Sequence, residues 1–319
     1  MAVMTSVTNS ANLSTYYFRR LLGVLYHKLQ LFPLGMKASL PKGEGKSVKW
    51  TRYSRLSAAT SALSEGVVPA EGSITSQNIS ATVAQYGNFV KISDLLELTA
   101  IDPVLQSAMD ILGKQASLTI DTLCRNELDD NLPNQFANSK STLATTGSSD
   151  VMNSKEILKG VITLKKDIVG PHSGNDYVCV VHPASLGDIM NDTNVGSWVD
   201  LNKYIDPSSQ RPFNGEAGKV FGCRIMESHN ISSTSSGTLS SATVYSNLLL
   251  GEEPFGVVTL DGRSVQSFIK PQGSAGSLDP INQIATAGWK AVGFVAKYLG
   301  GSANGTADRG LRIRAGSAF

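Results

Sequence analysis

A short glycine-rich stretch carries the clearest chemical signal in the sequence. Gly43-Glu44-Gly45-Lys46-Ser47 ends like the loop that binds nucleotide phosphates. That loop also needs a glycine five residues before Gly45, where Leu40 stands, and it must open a helix whose N-terminal amides hold the phosphate. The alternating residues after Lys46 are typical of a strand instead. A nucleotide-binding enzyme built on Lys46 is therefore an alternative only, and we expect the glycines to let a β-arm bend.

The histidines and cysteines form no pattern that would assemble a catalytic or metal site. None of them stands at H-x-x-x-H or C-x-x-C spacing. They are His27, His172, His182, His229, Cys124, Cys179 and Cys223. We predict buried free thiols in a reducing compartment, a structural histidine at position 182, and no enzymatic activity, cofactor or metal.

Basic residues are concentrated at the start of the chain. Residues 1–55 contain nine lysines and arginines but one acid, Glu44, whereas the whole chain of 319 residues carries a net charge of +2. Basic side chains interleaved with Tyr53 could neutralise nucleic-acid phosphates, but they alternate between the two faces of a strand. Pairing with acids of a neighbouring subunit is an equally good explanation. The predicted inter-subunit contacts are Lys46, Lys49, Arg52, Arg55 and Glu65.

The longest element that the sequence predicts is a helix from Asp102 to Asp130. Asp102 can cap its N-terminus, and Pro103 suits the first helical position. An apolar stripe at helical spacing comprises Val104, Leu105, Ala108, Leu112, Ala116 and Leu123. The opposite, polar face comprises Gln106, Asp110, Lys114, Asp121 and Arg125. We expect ion pairs between Asp110 and Lys114 and between Asp121 and Arg125, with this face turned toward the interior of an assembly or toward a neighbour.

A two-stranded arm precedes this helix. Residues 47–53 alternate polar and apolar, as does a second stretch from Ile74 to Val90, and a connection rich in Ser, Ala and Gly runs from Leu56 to Gly72. Such an arm is at best marginally stable alone, so we expect it to lie on another subunit. Charged residues make up 17% of the chain, below the usual ~25%, which also indicates a surface covered by partners.

The remaining elements indicate an α+β chain with helices segregated from strands. We expect an amphipathic helix over Tyr16–Phe32, a polar linker over residues 131–150, a helix capped by Asn153 and Glu156, and either strand or helix over residues 289–299. Further strands are expected at 177–181, 220–226, 243–250, 265–269 and 311–314, and a short helix at 183–190. The sequence shows neither a signal peptide nor an apolar run long enough to span a membrane.

The order of these parts resembles a tailed-bacteriophage major capsid protein. Specific stretches resemble the family typified by the capsid protein of N4-like podophages. They are Pro41-Lys42-Gly43, Gly45-Lys46-Ser47-Val48, Leu63-Ser64-Glu65-Gly66 with Pro69, Thr82-Val83-Ala84-Gln85-Tyr86-Gly87, Ser93-Asp94, Thr119-Ile120-Asp121, His182-Pro183, Gly215-Glu216-Ala217-Gly218 and Gly288-Trp289-Lys290. The match extends over about residues 36–300.

This resemblance implies the shell fold of tailed-phage capsids and a division of the chain into five parts. They are an N-terminal arm (1–35), an extended β-loop (36–91), a peripheral domain with the spine helix (92–150), a mostly axial domain (151–280), and C-terminal strands that return to the peripheral domain (281–319).

The implied function is a structural subunit that assembles as hexamers and pentamers into an icosahedral head around double-stranded DNA. Its implied partners are many copies of itself, a separate scaffolding protein, the portal, and packaged DNA by non-specific contact. It would be made in the host cytoplasm and reside in the virion. An encapsulin-like shell that encloses protein cargo is the alternative within this fold.

Overall fold

The protein was analysed as a computed structural model, which describes residues 29–69, 71–99, 104–192, 216–235, 243–260, 265–274, 279–301 and 308–318. Most of the helix expected over Tyr16–Phe32 lies outside these residues, as do His27 and the expected cap at Asp102 and Pro103. Among the described residues, no helix combines the length and apolarity needed to cross a membrane.

Four α-helices and fourteen strands make up the described fold, which is therefore mixed, as expected. The helices are α1 (Asp94–Thr99), α2 (Val104–Asn131), α3 (Ser154–Lys166) and α4 (Pro183–Met190). The first seven strands are β1 (Met36–Leu40), β2 (Ser47–Tyr53), β3 (Ser76–Thr82), β4 (Ala84–Ser93), β5 (Asn134–Phe136), β6 (Tyr177–Val181) and β7 (Glu216–Val220). The others are β8 (Cys223–Glu227), β9 (Ser233–Ser235), β10 (Thr243–Leu250), β11 (Phe255–Leu260), β12 (Gln266–Lys270), β13 (Ile284–Tyr298) and β14 (Gly310–Gly316).

A five-stranded sheet is built around β13, whose fifteen residues span about 50 Å. β13 pairs antiparallel with β4, β11 and β12, and β1 lies parallel to β11. The pairing of β13 with β4 shifts register between Val292 and Phe294. Gly293 lies in this bulge with φ +75°, and an added Cβ would overlap Cβ of Leu260. Glycine is therefore required at this bend.

The seven-stranded sheet has the order β5-β14-β10-β6-β8-β7, and β9 also pairs with β10. β6 lies inside this sheet, between β10 and β8, and all five of its residues are buried, as the continuous apolar run predicts. The two closing strands do not share a sheet: β13 belongs to the five-stranded sheet and β14 to this one. The division into five parts inferred from the resemblance stays a prediction.

The spine helix, α2, packs against both sheets. Its N-terminal half places Leu112 and Ala116 on three residues of β13, which are Ala287, Trp289 and Ala291. Its C-terminal half enters a larger core between the two sheets, through Ile120, Cys124 and Leu128. The predicted long helix is thus confirmed, although the buried stripe continues further along it than the sequence analysis expected.

Helices α3 and α4 cover the other face of the seven-stranded sheet, where Ile157, Val161 and Ile189 are buried. The predicted cap of α3 is present, since the Asn153 side chain accepts a hydrogen bond from the amide of Glu156 at 3.0 Å. In a complete capping box the Glu156 carboxylate would accept a hydrogen bond from the Asn153 amide. Here it accepts hydrogen bonds from the Asn138 amide and from Lys159 instead.

Asp121 lies on the buried side of the spine, so its predicted place on the exposed polar face is wrong. The residue is only 2% exposed. Its Oδ1 accepts hydrogen bonds from the backbone amides of residues 30, 31 and 32 at 3.1, 2.7 and 3.4 Å, and its Oδ2 accepts one from the Asn230 side chain at 3.1 Å. Arg125 instead lies 4.0 Å from Asp129 and donates to Asn230. The Asp121 carboxylate therefore connects the spine helix to residues 30–32 and to the segment that follows β8.

Other segments also differ from expectation. The expected polar linker over 131–150 contains β5, which pairs with β14, and it buries Thr146 and Asp150. The expected strand over 220–226 is a hairpin, because Phe221 and Gly222 both have positive φ and Val220 pairs with Cys223. The ambiguous segment 289–299 is almost entirely strand.

Asp176, at the start of β6, holds the β7–β8 hairpin through two ion pairs. Lys219 Nζ lies 2.6 Å from one carboxylate oxygen, and Arg224 Nε lies 3.0 Å from the other. Burial favours the neutral acid, but the hydrogen bonds and charges of Lys219 and Arg224 outweigh it and lower the Asp176 pKa.

Replacing Asp121 should destabilise the subunit strongly. Asp121→Ala leaves several buried amide donors without a partner, which should lower the free energy of unfolding by roughly 1–3 kcal/mol. The measurement is urea unfolding of the unassembled subunit. Asp110→Ala, at an exposed position of the same helix, is the control and should change the midpoint little. Equal effects of the two substitutions would contradict this role for Asp121.

The Asp176 ion pairs should make stability depend on pH in the acid range. Because its folded-state pKa lies below the unfolded value of about 3.9, the contribution is complete above that pH and is lost as pH falls through the folded-state pKa. Asp176→Asn should therefore be less stable at neutral pH and lose less stability on acidification. Urea unfolding across the pH range tests this, with Glu44→Gln as an exposed control. Parallel pH profiles for wild type and Asp176→Asn would refute it.

Candidate functional site

The candidate site is the β-arm, which comprises β2, β3 and their connection, residues 54–75. The two strands pair antiparallel from Ser47↔Thr82 to Tyr53↔Ser76, and they form a separate two-stranded sheet. Only Ile79 and Ala81 of these strands are buried. The Ser54 amide donates to the Thr75 carbonyl at 2.8 Å, so the two ends of the connection lie side by side where the strands end.

Two side chains of β2 anchor the arm to the rest of its own chain. The Trp50 indole packs against Gly256 in β11 so closely that an added Cβ there would come within 2.6 Å of the ring. Arg52 lies 3.9 Å from Glu253, which also pairs with Arg309 at 3.3 Å. Burial lowers the Arg52 pKa, and the charge of Arg309 acts in the same direction, while Glu253 opposes both. The sequence analysis missed Trp50, although a tryptophan on a half-exposed strand was the available signal.

The structure brings two of the predicted contact residues together and leaves the others apart. Arg52 and Arg55 line a cleft of about 520 Å³ with Asp167, Glu252 and Arg309. Arg52 is half-buried against its own chain, whereas Arg55 is exposed. The other three, Lys46, Lys49 and Glu65, are exposed. That all five contact another subunit stays a prediction.

The connection of the β-arm presents apolar side chains to solvent. Its tip is a turn from Ser64 to Val67, in which the Val67 amide donates to the Ser64 carbonyl at 3.2 Å and Gly66 has φ +76°. This φ favours glycine at the third turn position. The exposed large apolar residues are Leu56, Leu63, Val67, Val68 and Ile74, with exposed fractions from 51% to 90%. Their number on one segment indicates a surface that a partner covers.

The glycine-rich stretch before β2 has turn geometry and does not lead into a helix. Gly43 and Gly45 adopt positive φ of 95° and 86°. β2 begins at Ser47, and the Lys46 carbonyl accepts a hydrogen bond from the Val83 amide at 2.9 Å. A phosphate-binding loop requires a helix N-terminus at this point, so these glycines act as the bend that the sequence analysis expected.

His172, His182 and the three cysteines have structural surroundings. His182 caps α4 by accepting from the Ala184 amide, and its ring stacks on Tyr245 with centroids 4.1 Å apart. His172 lies 3.1 Å from the Gly251 carbonyl, and burial lowers its pKa. Cys124, Cys179 and Cys223 are free and buried, as predicted, and burial raises the pKa of Cys124 and Cys223. No cluster of potential metal ligands occurs within the described part of the chain.

Comparison with known proteins identifies the fold and the family. No curated protein matches the chain. The structure resembles the capsid of Ralstonia phage GP4 with a TM-score of 0.74 and 14% identity, covering 99% of both chains. It resembles the capsid of cyanophage P-SCSP1u with a TM-score of 0.68 and 13% identity, covering 98% of this chain and 95% of that one. It also resembles the acidic stable capsid of Helicobacter pylori bacteriophage KHP30, with a TM-score of 0.69 and 13% identity, covering 99% of both.

These structures confirm the predicted capsid fold. A family described as phage capsid protein matches residues 77–303, which include the spine helix and most of both sheets. The chain therefore belongs to the phage capsid protein family, as a major structural subunit of the phage head.

Proposed function

We propose that many copies of this chain assemble, as hexamers and pentamers, into an icosahedral head shell around double-stranded DNA. The observation that carries this proposal is the β-arm connection, whose five large apolar side chains are exposed in the single subunit. Exposed apolar surface of this kind is unfavourable in water and becomes favourable when a second subunit covers it. We propose no enzymatic role, and the β-arm acts by burying surface between copies.

The proposed contacts of the β-arm combine apolar and ionic groups. Lys46, Lys49 and Arg55 are exposed and would pair with acids of the neighbouring subunit, while Arg52 holds the arm to its own chain. Glu65, which is exposed in the turn from Ser64 to Val67, would pair with a basic group of the neighbour. Ion pairs at a subunit contact contribute more to register and specificity than to affinity.

Three further partners belong to the proposal. A separate scaffolding protein would direct assembly, the portal would occupy one vertex, and DNA would contact the shell without sequence specificity. Capsid structures with the same fold support the proposal by analogy. Assembly in the host cytoplasm and a narrower relationship to N4-like podophage capsids are also parts of this proposal.

Electron microscopy of the expressed protein provides the direct test. Negatively stained samples, with and without a co-expressed scaffolding protein, should contain shells, tubes or isolated capsomers. A folded monomer that never associates at high concentration, in either sample, would disprove the proposal. Shells that contain a protein cargo and no DNA, when purified from infected cells, would favour the encapsulin-like alternative.

Deletion of residues 57–72 should separate folding from assembly. Because residues 54 and 75 already pair, the shortened chain can close the same hairpin through Arg55, Leu56, Ser73 and Ile74. The urea midpoint should stay within error of wild type, and shell yield should fall by about tenfold or more if the lost contact contributes at least ~1.4 kcal/mol per subunit.

A replacement of the same residues by a Gly/Ser segment of equal length is the matched control. This variant should also fail to assemble, because it restores the length of the loop but not its apolar or acidic side chains. Normal shells from the deletion variant would contradict the assignment of this loop. Normal shells from the Gly/Ser variant would show that only its length matters.

A further inference from the structure

A groove of about 610 Å³ lies between α3 and the segment that contains β5. Lysine and hydroxyl side chains from both elements line it. They are Lys140, Lys159, Lys166, Ser139, Ser141 and Thr163. We call these six residues the lysine groove. It lies on the side of the seven-stranded sheet that α3 covers, away from the spine helix.

The surface around the lysine groove is basic because its acids are buried. Residues 134–166 contain five lysines and two acids, Asp150 and Glu156, and no arginine or histidine. All five lysines are exposed, whereas each acid is only 2% exposed. Lys159 Nζ lies 2.7 Å from Glu156, and Lys140 Nζ lies 3.9 Å from Asp150. Five lysines against two acids leave an excess of three positive charges on this surface.

The lysines of α3 form one row along the exposed side of the helix. Lys155, Lys159, Ile162 and Lys166 are spaced by four, three and four residues, which places them on the same side. The opposite side of α3 is packed on the seven-stranded sheet, so the row faces away from the core. At ~1.5 Å per residue the row is about 16 Å long. Duplex DNA carries one phosphate per strand about every 3.4 Å along its axis, so a duplex beside α3 presents several phosphates to the row.

The backbone at the rim of the lysine groove is held in an unfavourable conformation. Asn138 and Ser139 are consecutive residues other than glycine with positive φ, at 53° and 57°. Such residues persist where surrounding contacts hold them, and they concentrate at functional sites. The Asn138 amide donates to Glu156 at 3.2 Å, and the Asn138 side chain donates to Asp150 at 2.9 Å. The two buried acids therefore fix this rim, and with it Lys140, beside α3.

We propose that the lysine groove binds the phosphate backbone of double-stranded DNA. The inference rests on the proposed shell function, which supplies the DNA, and it names the surface of the subunit that contacts it. The lysine ammonium groups neutralise phosphates and release their counterions, and the hydroxyl groups donate hydrogen bonds to phosphate oxygens. The groove reads no base edges, so the contact is independent of DNA sequence.

An acidic protein segment is the competing occupant, since carboxylates would also pair with the lysines. Protein contacts depend on apolar anchors that become buried at their centre. Among the described residues that line the groove, Ile162 is the only large apolar side chain that is exposed, at 42%. DNA fits better because it requires positive charge and hydrogen-bond donors without such anchors.

A charge series at Ile162 tests the proposal without removing a lysine or its ion pair. Ile162→Lys, Ile162→Gln and Ile162→Glu change the charge in the middle of the row. Binding of the unassembled subunit to a duplex of about 20 base pairs is measured by fluorescence anisotropy from about 50 to 200 mM salt. The slope of log K against log salt should steepen by up to ~0.9 for Ile162→Lys. It should become shallower by a similar amount for Ile162→Glu and stay near the wild-type value for Ile162→Gln.

The matched control makes the same charge changes at Ser117, an exposed position on the spine helix. Ser117→Lys and Ser117→Glu alter the net charge equally and should leave the slope within error of wild type. Lys166→Gln is a second variant, which should make the slope shallower by up to ~0.9. Lys140 and Lys159 are left unchanged because each neutralises a buried acid. Urea unfolding checks that every variant folds.

Acetylation of lysines in assembled shells tests the same contact in the packaged state. DNA-filled and empty shells are treated with an acetylating reagent, and modified lysines are quantified by mass spectrometry. Lys159 and Lys166 should be modified severalfold less in DNA-filled shells than in empty ones. Lys42, an exposed lysine outside the groove, is the reference and should be modified to the same extent in both.

The outcomes separate this inference from the proposed function. If shells form but the series at Ile162 and Ser117 shift the slope equally, the lysine groove is not the DNA contact, and the proposed shell function stands. If Lys166 is protected in scaffold-containing shells but not in DNA-filled ones, an acidic protein occupies the groove and the inference is wrong. If the wild-type chain forms no shells, the proposed function fails, and a flat series at Ile162 would overturn the groove independently.

Discussion

Contact of a single helix with two sheets holds this subunit together. The N-terminal half of the spine lies on the middle of β13, and its C-terminal half is enclosed between the five-stranded and seven-stranded sheets. At ~1.5 Å per residue its 28 residues span about 42 Å, so one rigid element sets the distance between the two cores. Asp121 lies where the helix enters the core between the two sheets, and it fixes residues 30–32 there by accepting three backbone hydrogen bonds. The spine helix therefore fixes the two sheets relative to each other, although long polar segments connect their strands.

Periodicity alone predicted the elements whose burial is one-sided or complete. The spine, β2, β6 and α4 were predicted within a few residues, because their apolar spacing reflects one dominant environment. Periodicity also led to the wrong prediction that Asp121 lies on the exposed face of the spine, because a pattern of apolar and polar residues assigns every carboxylate to the side that faces solvent. Three of the donors that satisfy this carboxylate lie about 90 residues earlier in the chain, and the fourth, Asn230, lies 109 residues later. No local pattern reveals them. Residues 289–299 stayed ambiguous because alanine, glycine and valine occupy both faces of β13.

The candidate site was predictable only in outline. An arm too poor in apolar residues to stand alone could be inferred from composition, and the structure describes such an arm with an exposed connection. Its anchors could not be inferred, because Trp50 meets a glycine in β11 and Arg52 meets Glu253, both far away in the sequence.

The bulge in β13 has a consequence for geometry on a larger scale. A bulge bends its strand and increases the local twist. The part of β13 before Gly293 therefore makes an angle with the part after it, and this angle is set by the bulge. In a closed particle of identical subunits, every copy repeats this angle. Small changes at one backbone dihedral would then accumulate around the particle, and its curvature would depend partly on a residue without a side chain.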